Sequence, residues 1–192
     1  MSPTQTTRLQ AAFAAIPETL RSSVEMHVRE LAPVLAGLPA GDWIDVLPRV
    51  FTCSEFVMRA CVSRAGLLPE LVRSGDLSRA YGTDEMHARV LATVNSCTHE
   101  AALKAALRVL RQREMVRIAW RDLAGWANLE EVVRTLSAMA DACLDAALAK
   151  LYEWAVARDG VPKEEEGGKT ANFVVLGMGK LGGEELNFSS DI

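Results

Sequence analysis

Gly177, Gly179, Gly182 and Gly183 fall within seven residues, and Ser189, Ser190 and Asp191 follow a few positions later. These residue types suit phosphate chemistry. Glycines let a backbone approach a ligand closely, the amides at a helix start attract anions, and a carboxylate holds a divalent cation. Lys180, inside the glycine cluster, could meet a phosphate as a point charge, or could equally be a solvated surface lysine.

Three phosphate-handling arrangements compete for "VVLGMGKLGGEELNFSSDI". A Walker A loop needs lysine and then a hydroxyl residue after its last glycine, whereas Lys180 lies between Gly179 and Leu181, so this arrangement fails. Gly177, Gly179 and Gly182 imitate the dinucleotide G-x-G-x-x-G, but that fold needs a sustained helix and an acidic residue about 20 positions on. Here "GGEELN" allows only about one or two helical turns before "FSSDI", so a dinucleotide-binding protein is the weaker alternative. The third arrangement fits the whole stretch: a strand ending at Gly177, a glycine turn, a short helix, and a second strand opening at "SSDI". In nucleotidyl transfer, two carboxylates spaced D-x-D lie on one face of such a strand and hold the metal ions that clamp the phosphate. Asp191 would be the first, and the second would fall at position 193, beyond the last residue.

The elements that must position these residues are mostly helical. Through residue 158, apolar residues recur at helical spacing, which predicts an N-terminal bundle-like helical region over 1–158. Pro17, Pro33, Pro39 and "GLPAGD" divide the early part from a helix starting near Asp42, Gly66 and Pro69 interrupt the chain again, and "SGDLSRAYG" reads as a loop. Thr83 is expected to cap the next helix. Asn128 and Glu131 form a capping box for the longest one, whose stripe runs from Leu129 through Val132, Leu136, Met139 and Leu144 to Trp154. Residues 159–171 are a charged connection, and residues 172–192 are the start of a further domain, with "NFVVLG" as its first strand. One strand makes no sheet, so its partners are expected beyond residue 192. The fold class is therefore mainly α, followed by the first strand-turn-helix of an incomplete α/β domain.

Other residues carry less chemistry. Lys104, Arg108, Arg111, Arg113, Arg117 and Arg121 recur at helical intervals and read as a solvated face balanced by Glu100, Glu114 and Asp122. Trp120 and Trp126 read as packing residues. Cys53, Cys61, Cys97 and Cys143 lack C-x-x-C spacing and read as buried thiols, while His27, His87 and His99 lack metal-ligand spacing. A net charge of -4 gives no bulk attraction to nucleic acid or anionic membrane. No uncharged run is long enough to span a bilayer, the N-terminus is a poor secretory signal, and the expected location is the cytoplasm.

"FVVLGMGKLGGEELNFSSDI", together with "SEFVMRACVSRAGLLPELVRSGDL" and "REMVRIAWRDLAGWANLEEVVRTLSAMADACLDAAL", resembles the bifunctional glutamine synthetase adenylyltransferase and adenylyl-removing enzyme family. That family belongs to the DNA polymerase β-like nucleotidyltransferase superfamily. The resemblance covers roughly residues 50–192, and "ELNFSSDI" looks more like the first, AMP-removing domain than the second. It implies that Gly177, Met178 and Gly179, continued by Lys180, Gly182 and Gly183, approach the nucleotide phosphates. Ser189 and Ser190 lead into Asp191, which matches the first metal-binding, catalytic aspartate. It further implies Mg2+, ATP or ADP and phosphate as substrates or products, glutamine synthetase as the protein substrate and the nitrogen-regulatory PII protein as a partner. Family members are several times longer, so the chain is expected to be an N-terminal fragment and catalytically incomplete. A non-catalytic helical interaction module that binds glutamine synthetase or a regulator is the alternative.

Overall fold

A computed structural model describes residues 1–163, 168–171 and 173–190. Among these the chain is mainly α, in agreement with the periodicity. The helices are α1 (Pro3–Ala14), α2 (Glu18–Leu35), α3 (Trp43–Cys53), α4 (Glu55–Ser63), α5 (Leu67–Arg73), α6 (Glu85–Asn95), α7 (Glu100–Leu123), α8 (Leu129–Asp159) and the single turn α9 (Gly179–Gly182). Two compact units divide the chain, one of Met1–Tyr81 with Gln112–Val132 and the other of Gly82–Arg111 with Val133–Ile192.

The first unit is built around an apolar core. Val24, Val28, Leu31 and Leu35 recur along one face of α2, and Ile44, Leu47, Val50 and Phe51 do so along α3. Leu67, Leu68 and Leu71 from α5, with Val116 and Trp120 from α7, complete the same cluster. Trp120 is fully buried and meets Phe51 edge to face at 6.1 Å, and Trp126 packs against the same core, as the sequence suggests. Helix α1 starts with a capping box in which Ser2 and Gln5 satisfy each other's amides, and the Gln5 amide then donates to the Leu38 carbonyl. Pro33 does not divide this region. It lies in the last turn of α2, where the helix ends two residues later.

The expected solvated basic face is corrected at three positions. Arg113, Arg117 and Arg121, spaced four apart on α7, are buried and reach across to the 74–82 loop. Arg113 donates to Glu70 at 2.7 Å, to Asp76 at 2.6 Å, to the Tyr81 hydroxyl at 3.0 Å, and to Glu114. Arg117 donates to the carbonyls of Asp76 (2.8 Å) and Arg79 (2.7 Å). Arg121 binds both carboxylate oxygens of Glu131 and the carbonyls of Leu77 and Trp126. Charge periodicity alone does not separate a solvated face from one that meets a buried acidic loop. Lys104 does pair with Glu100 in solvent, as a surface lysine should.

The second unit contains α6, the Glu100–Arg111 part of α7 and α8 from Val133 onward. Asp84, with φ 60°, stands at the start of α6 in place of the expected Thr83, and the Glu85 carboxylate accepts from the Gly82 amide at 3.1 Å. Asn128 does cap α8, its side chain accepting from the Glu131 amide at 2.9 Å. Val132, Leu136 and Met139 of the predicted stripe are buried, whereas Leu129 and Leu151 are exposed. Cys61 and Cys97 are buried as expected, but Cys53 is exposed, because it sits at the C-terminal end of α3 outside its buried face.

The strand expected over "NFVVLG" finds no pairing partner among the described residues. Residues 173–178 belong to no helix and no paired strand, and Phe173, Val174, Val175 and Leu176 are exposed. Asn172 lies outside the described residues. A strand exists only through bonds to a neighbour, and among the described residues the single β-bridge is Lys163 with Thr170.

Candidate functional site

The glycine cluster folds as a tight backbone turn, with Met178 extended ahead of α9. Gly179 has φ +56°, a conformation that side-chain-bearing residues rarely adopt. A Cβ on Gly182 would lie 2.5 Å from the Gly177 carbonyl oxygen, so this position demands glycine by contact. Backbone hydrogen bonds then close the turn, the amides of Gly182, Gly183 and Glu185 donating to the carbonyls of Met178 (3.3 Å), Gly179 (3.0 Å) and Lys180 (2.7 Å). The Lys180 and Met178 side chains project into solvent. Helix α9 is four residues long, not the sustained helix that a dinucleotide-binding fold requires.

Leu186 fastens this region to α8. Its side chain is buried and its amide donates to Ser137 Oγ at 3.2 Å, while the Ser137 hydroxyl donates to the Val133 carbonyl at 2.9 Å. Next to it, Asn187 gathers the two serines of the motif. Its Oδ1 accepts from Ser189 Oγ (3.0 Å) and Ser190 Oγ (2.9 Å), its amide donates to Ser190 Oγ, and its carbonyl accepts from the Ser190 amide. This turn directly precedes Asp191, which lies outside the described residues.

The structure thus brings Gly177 against Gly182, and Ser189 together with Ser190. No hydrogen bond between the glycine turn and the two serines is found among the described residues. Sequence reasoning missed Asn187, although Asn followed by two serines is a recognisable side-chain-to-backbone turn signal. It also missed Leu186 and Ser137, and nothing in the sequence singles out Ser137 among the polar residues of a long helix. On α8, burial and then the Asp145 and Glu184 carboxylates hold the Asp141 carboxyl above its usual range. Among the described residues no group of three His, Cys, Asp or Glu side chains is arranged to hold a metal ion. An apolar cavity of about 380 Å³ lies between Tyr152, Val156, Pro162 and Phe173, and no predicted site residue lines it.

These features define a class: a mainly helical protein that leads into a glycine-rich turn fastened to its longest helix. The family model for glutamate-ammonia ligase adenylyltransferase matches residues 44–192, and the chain belongs to that family. Similar proteins include the bifunctional glutamine synthetase adenylyltransferase/adenylyl-removing enzyme of Thioalkalivibrio sulfidiphilus, 45% identical over 92% of this chain and 18% of the relative. Its counterpart in Nitrosococcus oceani is 49% identical over 78% of this chain and 15% of the relative. In Pseudomonas aeruginosa the identity is 36%, over 94% and 20%. The chain therefore matches a fifth or less of the length of these relatives. Among the described residues no helix is long and apolar enough to cross a membrane.

Proposed function

We propose that the chain supplies the helical lead-in and the opening of a nucleotidyltransferase domain that removes AMP from glutamine synthetase in the cytoplasm. The observation that carries this reading is the succession of a contact-restricted glycine turn and a hydrogen-bonded Asn187–Ser190 turn immediately before Asp191. In the reading, the Gly177–Gly183 backbone approaches the nucleotide phosphates, with Lys180 free to meet them. Asp191 is the first metal carboxylate.

The donor set suits Mg2+. Asp191 offers carboxylate oxygens, and Ser189 and Ser190 spend their protons on Asn187, which leaves hydroxyl oxygen lone pairs as acceptors. When bound, Mg2+ supplies charge neutralisation at the phosphate. Residues 1–192 carry only the first carboxylate of the D-x-D pair, so taken alone they are proposed to be inactive. In a longer protein, the same domain would release AMP by phosphorolysis and a second domain would add it from ATP, under control of the PII protein. The test extends the chain past Ile192 through the remaining sheet and compares it with Asp191→Asn in AMP removal from adenylylated glutamine synthetase. Equal activity of the two would sink the assignment.

A second reading, a helical interaction module, is favoured by the apolar core that the first unit completes without residues 172–192. Calorimetric titration of the 192-residue chain against glutamine synthetase tests it, and absence of heat at high micromolar concentration removes it.

A further inference from the structure

We infer that Ser137 is a positioning residue through which α8 sets the placement of the metal-ligand turn; this rests on the nucleotidyl-transfer reading of Asp191. The Ser137 hydroxyl is buried within α8, and its one proton is committed to the Val133 carbonyl, so its orientation is fixed and its lone pairs face outward from the helix. One of those lone pairs accepts the Leu186 amide, 49 residues away in sequence, and the Leu186 side chain is itself buried. A buried amide needs an acceptor, so this one contact decides where the backbone at Leu186 can sit. Asn187 follows at once, and its bonds with Ser189 and Ser190 extend the fixed backbone to the residue that adjoins Asp191. Helix, hydroxyl, amide and turn form one connected path, and Ser137 is its only side-chain link to α8 among the hydrogen bonds of residues 186–190 described.

Alanine at 137 keeps the helix and removes the acceptor, which leaves the Leu186 amide buried without a partner. Hydrogen exchange of the 192-residue chain reads this directly. In Ser137→Ala the Leu186 amide is expected to exchange about tenfold faster or more, with the amides of α6 unchanged. Ser137→Thr, which keeps an oxygen bonded to the preceding turn, is expected to restore protection. Equal Leu186 exchange in Ser137→Ala and the unaltered chain would overturn the proposal.

A functional readout separates positioning from stability. In the chain extended past Ile192, Ser137→Ala is expected to raise the Mg2+ concentration for half-maximal AMP removal about tenfold, at an unchanged maximal rate. A lower maximal rate at an unchanged Mg2+ midpoint is the signature of a purely structural role and also overturns the proposal. Asp191→Asn in the same protein tests the underlying reading on its own: full activity there discards the metal role of Asp191, while the Leu186 exchange result stands apart from it.

Discussion

The Arg117 guanidinium stacks on the Tyr81 ring, 3.4 Å from its centre, while the Tyr81 hydroxyl donates to Glu114 and accepts from Arg113. A planar cation on an aromatic face is attracted by the ring's charge distribution, and burial strengthens the attraction. Burial works against the Arg117 charge and lowers its pKa, with Tyr81 and Glu114 opposing the shift. Arg113 is also penalised by burial, but Glu114, Glu70, Tyr81 and Asp76 outweigh the penalty and raise its pKa. The two arginines are held charged by different means.

Arg113→Ala removes one cation from Asp76 and from Glu114, both fully buried, and leaves Asp76 to Arg79 and Glu114 to the Tyr81 hydroxyl and Arg117. Removing one partner of a buried ionic group costs about 3–5 kcal/mol. The urea midpoint of the first unit is expected to fall accordingly. Arg117→Lys keeps the charge and loses both the stacking and the planar fork, so a smaller loss of about 1–2 kcal/mol is expected on the same measurement.

Alkaline stability should decline in two steps. Burial pushes the Cys61 thiol from 9.0 up to about 12. Burial, with Glu114 behind it, pushes the Tyr81 phenol from 10.0 up to about 12. In each case the unfolded chain loses its proton first, so the stabilisation is complete below the unfolded value and is lost as pH rises toward 12. Denaturation midpoints measured from neutral pH upward should begin to fall near pH 9, and Cys61→Ala should delay the onset to near pH 10.

Cysteine labelling tests the burial difference directly. Cys53 is exposed and should react with a thiol reagent in the native chain, whereas Cys61 should react only on the unfolding timescale. Mass spectrometry of partially labelled protein reads the order.

Gly182→Ala places a Cβ against the Gly177 carbonyl, so the turn must open. Strain of about 1–3 kcal/mol is expected locally, seen as amide shift changes over residues 177–185 with no change in the urea midpoint of the first unit. Gly66→Ala meets nothing within 4 Å and serves as the control.

The run Phe173–Leu176 exposes four consecutive apolar residues without a pairing partner among those described. Such a segment templates pairing between chains. Val175→Lys is expected to reduce concentration-dependent association in sedimentation experiments while leaving thermal unfolding in place.

Legibility in the sequence followed how local each cause is. The Asn128 cap and the Val132, Leu136 and Met139 face of α8 are set within a few residues, and both are visible in spacing. Thr83 and Asp84 are both acceptable caps by type, and only the backbone conformation at Asp84 decides between them. The arginines of α7 show their periodicity but not their partners, because Asp76, Leu77 and Arg79 lie about 40 residues away. "FVVL" has strand composition, yet composition supplies no hydrogen-bonding neighbour. At the candidate site the glycines are legible through their clustering within seven residues, while Ser137 is not, since its role depends on an amide 49 positions later.

The arginine fastening of the 74–82 loop also has a kinetic side. Each of its bonds from Arg117 and Arg121 closes a span of 38 to 44 residues, so the entropy of loop closure must be met before the contact can form. Such contacts assemble after the local helices, and their loss speeds unfolding more than it slows folding. Arg117 and Arg121 are thus expected to set how long the native first unit persists rather than how quickly it is reached.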